Sequence, residues 1–267
     1  MNRWILALFP LLLWGCSGLE RSEYEEIRRK NCTAEYIYRK KDQSVFPLSN
    51  PAFCQRDLYP WEVAASNIPR ISKDHFRCKG SLSNIPRTVG EKKLQDCGGK
   101  HGLPFIHGKE NVYPVLVDLL NYIQKKMKRR VVITSGHRCP VHNLYVDASK
   151  ENSMSKHMIA AEVDFYVQGM ENEPMKVLEK VFQFYKEHPG YRGKKEYESF
   201  VRYEKKTQVS TTPWYNKEIF VKLCKKKEGR NLDNRHPYPY LNIQVRLDRD
   251  NQEMISFSSE KTKIRQF

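Results

Sequence analysis

The chain has 267 residues, which is enough for one large domain or for one domain with an N-terminal extension. Lys and Arg number 47 against 31 Asp and Glu, so the formal net charge is +16 and polyanions such as lipid phosphates or carboxylate-bearing peptides are the expected partners. The apolar run at the N-terminus is shorter than the roughly 20 residues that a membrane-spanning helix needs, and its resemblance to an export signal argues against nucleic acid as a partner.

Residues 1–15 have the pattern of an export signal. Arg3 gives a short positive region, and the run from Trp4 to Trp14 is almost free of polar side chains. The following Leu13-Trp14-Gly15-Cys16 resembles the lipobox of bacterial lipoproteins, in which the cysteine is acylated and becomes the new N-terminus. We therefore expect a membrane anchor at Cys16 and a location on the periplasmic side of the cell envelope, with Ser17 favouring the outer membrane. The alternative is an ordinary cleaved signal in which Cys16 has no role.

Residues 16–100 are predicted to form an N-terminal extension that is rich in turns. Five prolines interrupt any long helix there: Pro47, Pro51, Pro60, Pro69 and Pro86. One short helix is predicted at 24–31. Large apolar side chains such as Trp61 favour burial, so we expect the extension to pack as a collar on the domain that follows.

Six cysteines remain once Cys16 is assigned to the lipid: Cys32, Cys54, Cys78, Cys97, Cys139 and Cys224. An even set in an oxidising compartment predicts up to three disulfides. We expect the four that precede residue 100 to pair among themselves, which makes the extension a disulfide-rich irregular region. Zinc binding is the alternative, but the sequence contains no Cys-x-x-Cys spacing.

From about residue 111 the chain has helix and strand periodicity, and residues 101–267 are predicted to form one domain. Apolar residues recur at helical spacing over 112–128 and about 173–187. Strands are predicted at Val131–Thr134, Ala160–Val167, Ser199–Tyr203 and Leu241–Leu247, with a further helix at about 214–226. Elements that do not alternate regularly indicate the α+β class, with a small, largely antiparallel sheet packed with helices.

Chemically active residues are concentrated after the first predicted strand of this domain. The turn Ser135-Gly-His-Arg138 is followed by Ser155-Lys-His157, and Asp164 comes seven residues after that histidine. Imidazole and carboxylate groups are common zinc ligands, and hydrolytic zinc sites use three protein ligands with one open position. A planar arginine beside them suits a substrate carboxylate. The pattern predicts a metal centre next to a site for an anionic group.

These motifs resemble those of the zinc D-alanyl-D-alanine carboxypeptidases and dipeptidases, which trim peptidoglycan peptides and have the Hedgehog-type fold. The segment 131–143 resembles the family's I-T-S-G-Y-R turn, the segment 155–164 its S-x-H-x-x-G-x-A-x-D zinc motif, and the segment 242–246 its closing H-V-D-V-R strand. The resemblance implies that His157 and Asp164 bind zinc and that Arg138 holds the substrate carboxylate or the developing oxyanion. It also implies that Ser155 orients the substrate or the histidine.

The chain departs from the family pattern at the metal site itself. Asn242 stands where the third ligand is a histidine, and Pro239 stands where the catalytic glutamate is expected. An amide oxygen is a poorer zinc donor than imidazole, so a degenerate site is expected. Glu162, on the same strand face as Asp164, could reach the metal or act as the base. His236 could supply the third nitrogen ligand; the alternative is that both residues are structural.

Two functions follow as expectations from these residues. The first is a cell-envelope lipoprotein that recognises, and hydrolyses if the zinc site is complete, peptidoglycan stem peptides ending in D-alanine. The second is a catalytically inactive protein that binds the same peptides or serves a structural role in the envelope.

Overall fold

The computed structural model describes residues 68–99, 101–106 and 108–266. The predicted export signal, the lipidation site Cys16, the predicted helix at 24–31 and the cysteines Cys32 and Cys54 lie outside these residues. Within the described part, every helix is too short or too polar to cross a bilayer.

The elements alternate irregularly along the chain. The α-helices are α1 (Pro114–Met127), α2 (Pro140–Val146), α3 (Pro174–Glu187) and α4 (Lys195–Glu198). The strands are β1 (Arg87–Val89), β2 (Lys92–Leu94), β3 (His101–Ile106), β4 (Lys109–Glu110), β5 (Val131–Ser135), β6 (Glu162–Val167), β7 (Val201–Arg202), β8 (Trp214–Tyr215), β9 (Ile219–Cys224), β10 (Tyr240–Val245), β11 (Leu247–Asp248), β12 (Glu253–Met254) and β13 (Ile264–Gln266). Short 3-10 helices lie at Lys73–Phe76, Glu151–Met154, Lys156–Ile159 and Ser259–Thr262.

The central sheet has six strands in the order β5-β6-β10-β9-β8-β7, and all neighbours are antiparallel. Smaller sheets join β1 to β2, β11 to β12, and β13, β3 and β4. The predicted α+β class with a largely antiparallel sheet is confirmed.

Side chains alternate between the two faces of this sheet. On one face, Val163 and Phe165 of β6 and Leu241 and Ile243 of β10 are at most 1% exposed and pack against α1 and α3. Both helices bury an apolar stripe at helical spacing and begin with proline, whose fixed φ suits a first helical turn. The other face carries the polar residues of β6 and β10, because neighbouring residues on a strand point to opposite sides. The core therefore holds one face rigid and leaves the polar face for a site.

The N-terminal segment 68–99 packs against this domain. Ile71 and Phe76 belong to its core, and the Lys79 ammonium donates to the carbonyls of Ile133 and Thr134 at the end of β5. This part of the extension therefore lies on the domain in the way that a collar was predicted to do.

The predicted disulfide pairing is wrong for the described cysteines. Cys78, Cys97, Cys139 and Cys224 are all free, and the Sγ atoms of Cys78 and Cys97 are 3.8 Å apart. Cys78 and Cys97 are not confined to the extension, because both meet Cys139 of the domain. Residue spacing alone does not reveal this contact between distant segments.

The predicted helix at about 214–226 is also wrong, since this range forms β8 and β9. Ile219, Val221 and Leu223 are buried while Phe220 and Lys222 between them are partly exposed, which is the period-two pattern of a strand. The β10 backbone pairs with β9 along its whole length. The predicted helices at 112–128 and about 173–187 are present as α1 and α3, with ends shifted by one or two residues.

Candidate metal centre

Strands β6 and β10 supply most of the polar residues of the site. Glu162 and Asp164 are two residues apart on β6, so both carboxylates point to the same face. In the antiparallel register Asn242 of β10 lies opposite Asp164, and Gln244 lies opposite Glu162. Lys222 of β9 lies beside Asn242 in the next strand. The sheet thus aligns two acids, two amides and one lysine as neighbours.

The turn between β5 and α2 covers one end of this row. A register shift between Ile133 and Ser135 brings Ser135 opposite Asp164, where an unshifted strand would not place it. The turn continues into Arg138, and the carbonyl of Gly136 accepts a hydrogen bond from His157 Nδ1 at 2.7 Å. This bond assigns the proton to Nδ1 and leaves the Nε2 lone pair free to bind a metal.

Three donor groups converge in the resulting pocket. His157 Nε2 lies 3.5 Å from Asp164 Oδ2 and 3.7 Å from Glu162 Oε1, and all three side chains are buried. Zinc at about 2.0–2.2 Å from each nitrogen or oxygen donor would place neighbouring tetrahedral donors about 3.3–3.6 Å apart. The distance from His157 to Asp164 lies within this range, and the distance from His157 to Glu162 exceeds it by 0.1 Å.

The two acids of this site are held in the ionised form. Burial opposes ionisation of Asp164, but the His157 ring, the Arg138 guanidinium and the Asn242 amide outweigh it and lower the pKa of Asp164 to about 2. Burial also opposes ionisation of Glu162, and His157 and Lys222 nevertheless lower its pKa. Two buried carboxylates next to one imidazole form a donor set that favours a divalent cation.

Arg138 is more deeply enclosed than a substrate-binding residue was expected to be. Its side chain is 2% exposed, its Nε donates to Ser135 Oγ at 2.8 Å and to Asp233 Oδ2 at 3.0 Å, and its Nη2 lies 3.6 Å from Asp164 Oδ2. The guanidinium therefore compensates the charge of these acids, and Arg138 is one of the residues that line the pocket.

The structure places the other predicted site residues in different ways. Ser155 lines the pocket, and its Oγ accepts a hydrogen bond from the backbone N–H of His157. Asn242 lies inside the site, but its Nδ2 donates to Glu162 Oε1 at 2.7 Å and to Asp164 Oδ1 at 2.5 Å, so its amino group faces the acids. His236 is not brought to the site; its ring stacks on Tyr238 with centroids 4.2 Å apart.

Several residues of the site were not anticipated from the sequence. Asp233 binds Arg138, Asn234 donates to Asp164 Oδ2 at 2.6 Å, and Lys222 and Lys206 line the pocket. Asp233 and Asn234 lie in the loop before β10, which has no periodicity that would indicate a site. The position of Lys222 could have been predicted from the sequence. If 219–224 is recognised as a strand, the alternation of its side chains places Lys222 on the face opposite the buried Val221 and Leu223.

The pocket around these groups has a volume of about 410 Å³. Its lining includes residues from 147–156 and 203–209 together with Arg138, His157, Glu162, Asp164 and Asn242. A short peptide end fits a space of this size.

One of the comparisons with known proteins found a match. The model of the family described as Peptidase M15 matches residues 93–202, which are 110 of the 267 residues. This match confirms the predicted resemblance to a peptidase family, and over these residues the chain is similar to Peptidase M15. The matched range includes His157, Glu162 and Asp164 and ends before β10. Comparisons with curated proteins and with solved structures found no significant match.

Proposed function

We propose that this domain is a zinc-dependent hydrolase that cleaves the stem peptides of peptidoglycan. The observation that carries the proposal is the convergence of His157, Glu162 and Asp164 in one pocket at the spacing of tetrahedral zinc donors. The match to Peptidase M15 supports the reaction class.

The proposed zinc ligands are His157 through Nε2 and one oxygen each of Asp164 and Glu162. Glu162 replaces the histidine that the family has at position 242, so the third donor moves from β10 to the neighbouring strand β6. Asn242 then acts as a donor that orients both carboxylates. Bound zinc would supply a Lewis acid that activates water and the peptide carbonyl.

Two groups of this chain would handle the proton and the charge of the reaction. Glu162 is ionised and lines the pocket, and the carboxylate oxygen that does not bind the metal would accept a proton from the attacking water. Arg138 lines the same pocket, and its positive charge would favour negative charge that develops there.

The pocket walls suit a peptide that ends in a carboxylate. Lys206 and Lys222 line the pocket, and the positive charge of Lys222 also lowers the pKa of Glu162. We assign to these two lysines the binding of the terminal carboxylate of the peptide. Arg138 was expected to bind that carboxylate, but its guanidinium already forms an ion pair with Asp233. The predicted export signal and a lipid anchor at Cys16 would bring the domain to this polymer.

The test measures D-alanine release from a pentapeptide ending in D-Ala-D-Ala, using the zinc-loaded full chain. We expect turnover that a chelator abolishes and that Glu162→Gln lowers by at least about 100-fold, since the substitution removes both a ligand charge and the proton acceptor. Glu179→Gln, at an exposed position on α3, is the matched control. Absence of D-alanine release by the zinc-loaded chain would refute the hydrolase.

A second function, binding of the same peptides without cleavage, is favoured by a specific observation. Position 239 is proline where the family has its glutamate, and the lowered pKa of Glu162 makes that carboxylate a weak base. This function predicts that the full chain sediments with purified sacculi in the presence of chelator. His157→Ala would leave that binding intact, whereas Lys222→Ala would weaken it.

A further inference from the structure

A second cluster of potential metal ligands lies outside the site described above. Cys78, Cys97 and Cys139 place their Sγ atoms together with a ring nitrogen of His101, and all these atoms lie within 4.8 Å of one another. The four residues come from three separate parts of the fold: the N-terminal segment, the start of β3 and the residue directly before α2.

We propose that Cys78, Cys97, Cys139 and His101 form a structural zinc site that fastens the N-terminal segment to the turn carrying Arg138. Three sulfurs and one imidazole nitrogen form one of the common ligand sets of structural zinc sites, which are closed and have four protein ligands. The proposal is independent of the hydrolase and would stand if that function failed.

The distances fit a metal better than a disulfide. Zinc–sulfur bonds of about 2.3 Å in a tetrahedron place two sulfurs about 3.8 Å apart, and the Sγ atoms of Cys78 and Cys97 are 3.8 Å apart. A disulfide requires about 2.05 Å between two sulfurs and would leave the third cysteine and His101 without a role.

The imidazole ring of His101 supports the presence of a bound metal. Both of its ring nitrogens are buried and lack a hydrogen-bond partner among the described residues. A buried imidazole without any partner is costly, because its nitrogens lose their contacts with water. A metal bound by one nitrogen removes that cost for the ligating atom.

The surrounding backbone is arranged for thiolates. Cys139 N–H donates to Cys78 Sγ at 3.5 Å, and His142 N–H donates to Cys139 Sγ at 3.3 Å. Donors directed at sulfur stabilise the negative form that binds metals.

Gly80 makes room for one of the sulfurs. A Cβ at this position would lie 1.9 Å from Cys97 Sγ, which is far inside contact distance. The absence of a side chain at residue 80 therefore allows the Cys97 sulfur to enter the cluster.

The sequence contains a signal for this site that differs from the usual one. Cys97 and His101 are separated by three residues, which differs from the Cys-x-x-Cys spacing that is typical of zinc sites. The other two ligands are distant in sequence, so no short motif contains the whole set.

The first test uses cobalt as a spectroscopic substitute for zinc in the full chain carrying His157→Ala, which disables the other metal centre. We expect one cobalt per chain with a sulfur-to-cobalt charge-transfer absorption that zinc abolishes by displacement. Cobalt binding without this absorption, or no binding, would overturn the proposal. Because the variant lacks the proposed catalytic ligand, this result does not depend on hydrolase activity.

The second test compares Cys97→Ser with Cys224→Ser in the same background. Cys224 is a buried free cysteine outside the cluster and is the matched control. The absorption should be lost in the first variant and retained in the second; its retention in Cys97→Ser would overturn the proposal.

A third measurement needs no cluster variant and covers the case in which Cys97→Ser does not fold. Peptide mapping of the alkylated wild-type chain should show Cys78, Cys97 and Cys139 protected with zinc and modified after chelation. A disulfide between any two of the three cysteines in the unreduced protein would overturn the proposal.

Discussion

At the scale of single residues, Arg138 differs most from its expected role. A lone arginine beside a metal site suggests a group that meets substrate, yet its guanidinium is buried between Asp233, Ser135 and Asp164. A buried guanidinium of this kind stabilises the folded state by compensating the charge of the acids around it. Its removal leaves those buried acids without a compensating charge.

Replacement of Arg138 by methionine should therefore destabilise the fold. We expect Arg138→Met to lower the free energy of unfolding by about 3–5 kcal/mol, the cost of breaking a buried ion pair. Urea denaturation of the metal-free chain at neutral pH measures it. Arg235→Met, at an exposed position in the loop before β10, should cost less than about 0.5 kcal/mol. A loss below about 1 kcal/mol for Arg138→Met would show that the acids do not need this charge.

The residue scale also shows what strand alternation could predict. Glu162 and Asp164 were placed on one face from their spacing alone, and the structure brings both to His157. The orientation of the Asn242 amide could not be predicted from strand alternation, because it depends on hydrogen bonds to acids on a different strand.

At the scale of elements, the turn between β5 and α2 contacts the N-terminal segment and lies between the two groups of potential metal ligands described above, around His157 and around Cys139. The backbone of Gly136 lies very close to that of Phe76. A Cβ added at Gly136 would lie 2.7 Å from both the Cα and the carbonyl oxygen of Phe76. The next residue, His137, donates its N–H to the Phe76 carbonyl at 2.6 Å. The glycine is thus required by close packing against backbone, which cannot move aside as a side chain can.

Alanine at position 136 should separate these two segments. We expect Gly136→Ala to cost about 1–3 kcal/mol in the free energy of unfolding, the usual range for overpacking. Chemical denaturation measures the loss, and limited proteolysis should cut more readily near residues 68–99. The control is Gly98→Ala, whose Cβ would meet only Leu82 at an ordinary 3.8 Å. Equal stability of the two variants would contradict the packing argument.

At the scale of the whole molecule, His142 links segments that are distant in the chain. Its Nδ1 lies 2.7 Å from Asp96 of the N-terminal segment, and its Nε2 lies 3.2 Å from Asp233 of the loop before β10. Burial opposes protonation of this imidazole, but Asp233 and Asp96 outweigh it and raise the pKa of His142 to about 9. The protonated ring therefore binds two acids at once.

This link predicts a loss of stability in weakly alkaline solution. Because the folded pKa of about 9 lies above the ordinary value of 6.5, the contribution is fully present below about pH 6.5 and is lost as the pH rises through about 9. We expect the free energy of unfolding to fall by up to about 3 kcal/mol over this window. Urea denaturation of the metal-free chain at several pH values gives the slope, and His142→Gln should remove it. An unchanged slope in that variant would assign the pH dependence to other groups.

The sequence by itself determined the parts of this protein that depend on local periodicity. Apolar spacing predicted α1 and α3 and the strands β5, β6 and β10. The spacing of Ser155, His157 and Asp164 predicted the resemblance to the peptidase family and the meeting of His157 with Asp164. It misassigned β8 and β9, because a short run of mixed apolar residues does not distinguish a helix from a strand paired on both sides.

The tertiary structure alone decided which distant residues meet. It brought Asp233, Asn234 and Lys222 to the first site, left His236 in an aromatic stack, and assembled Cys78, Cys97, His101 and Cys139 into a second cluster. Periodicity records which face of an element is buried. Contacts between segments depend on sheet register, turn geometry and close packing, which form only when the whole chain is folded.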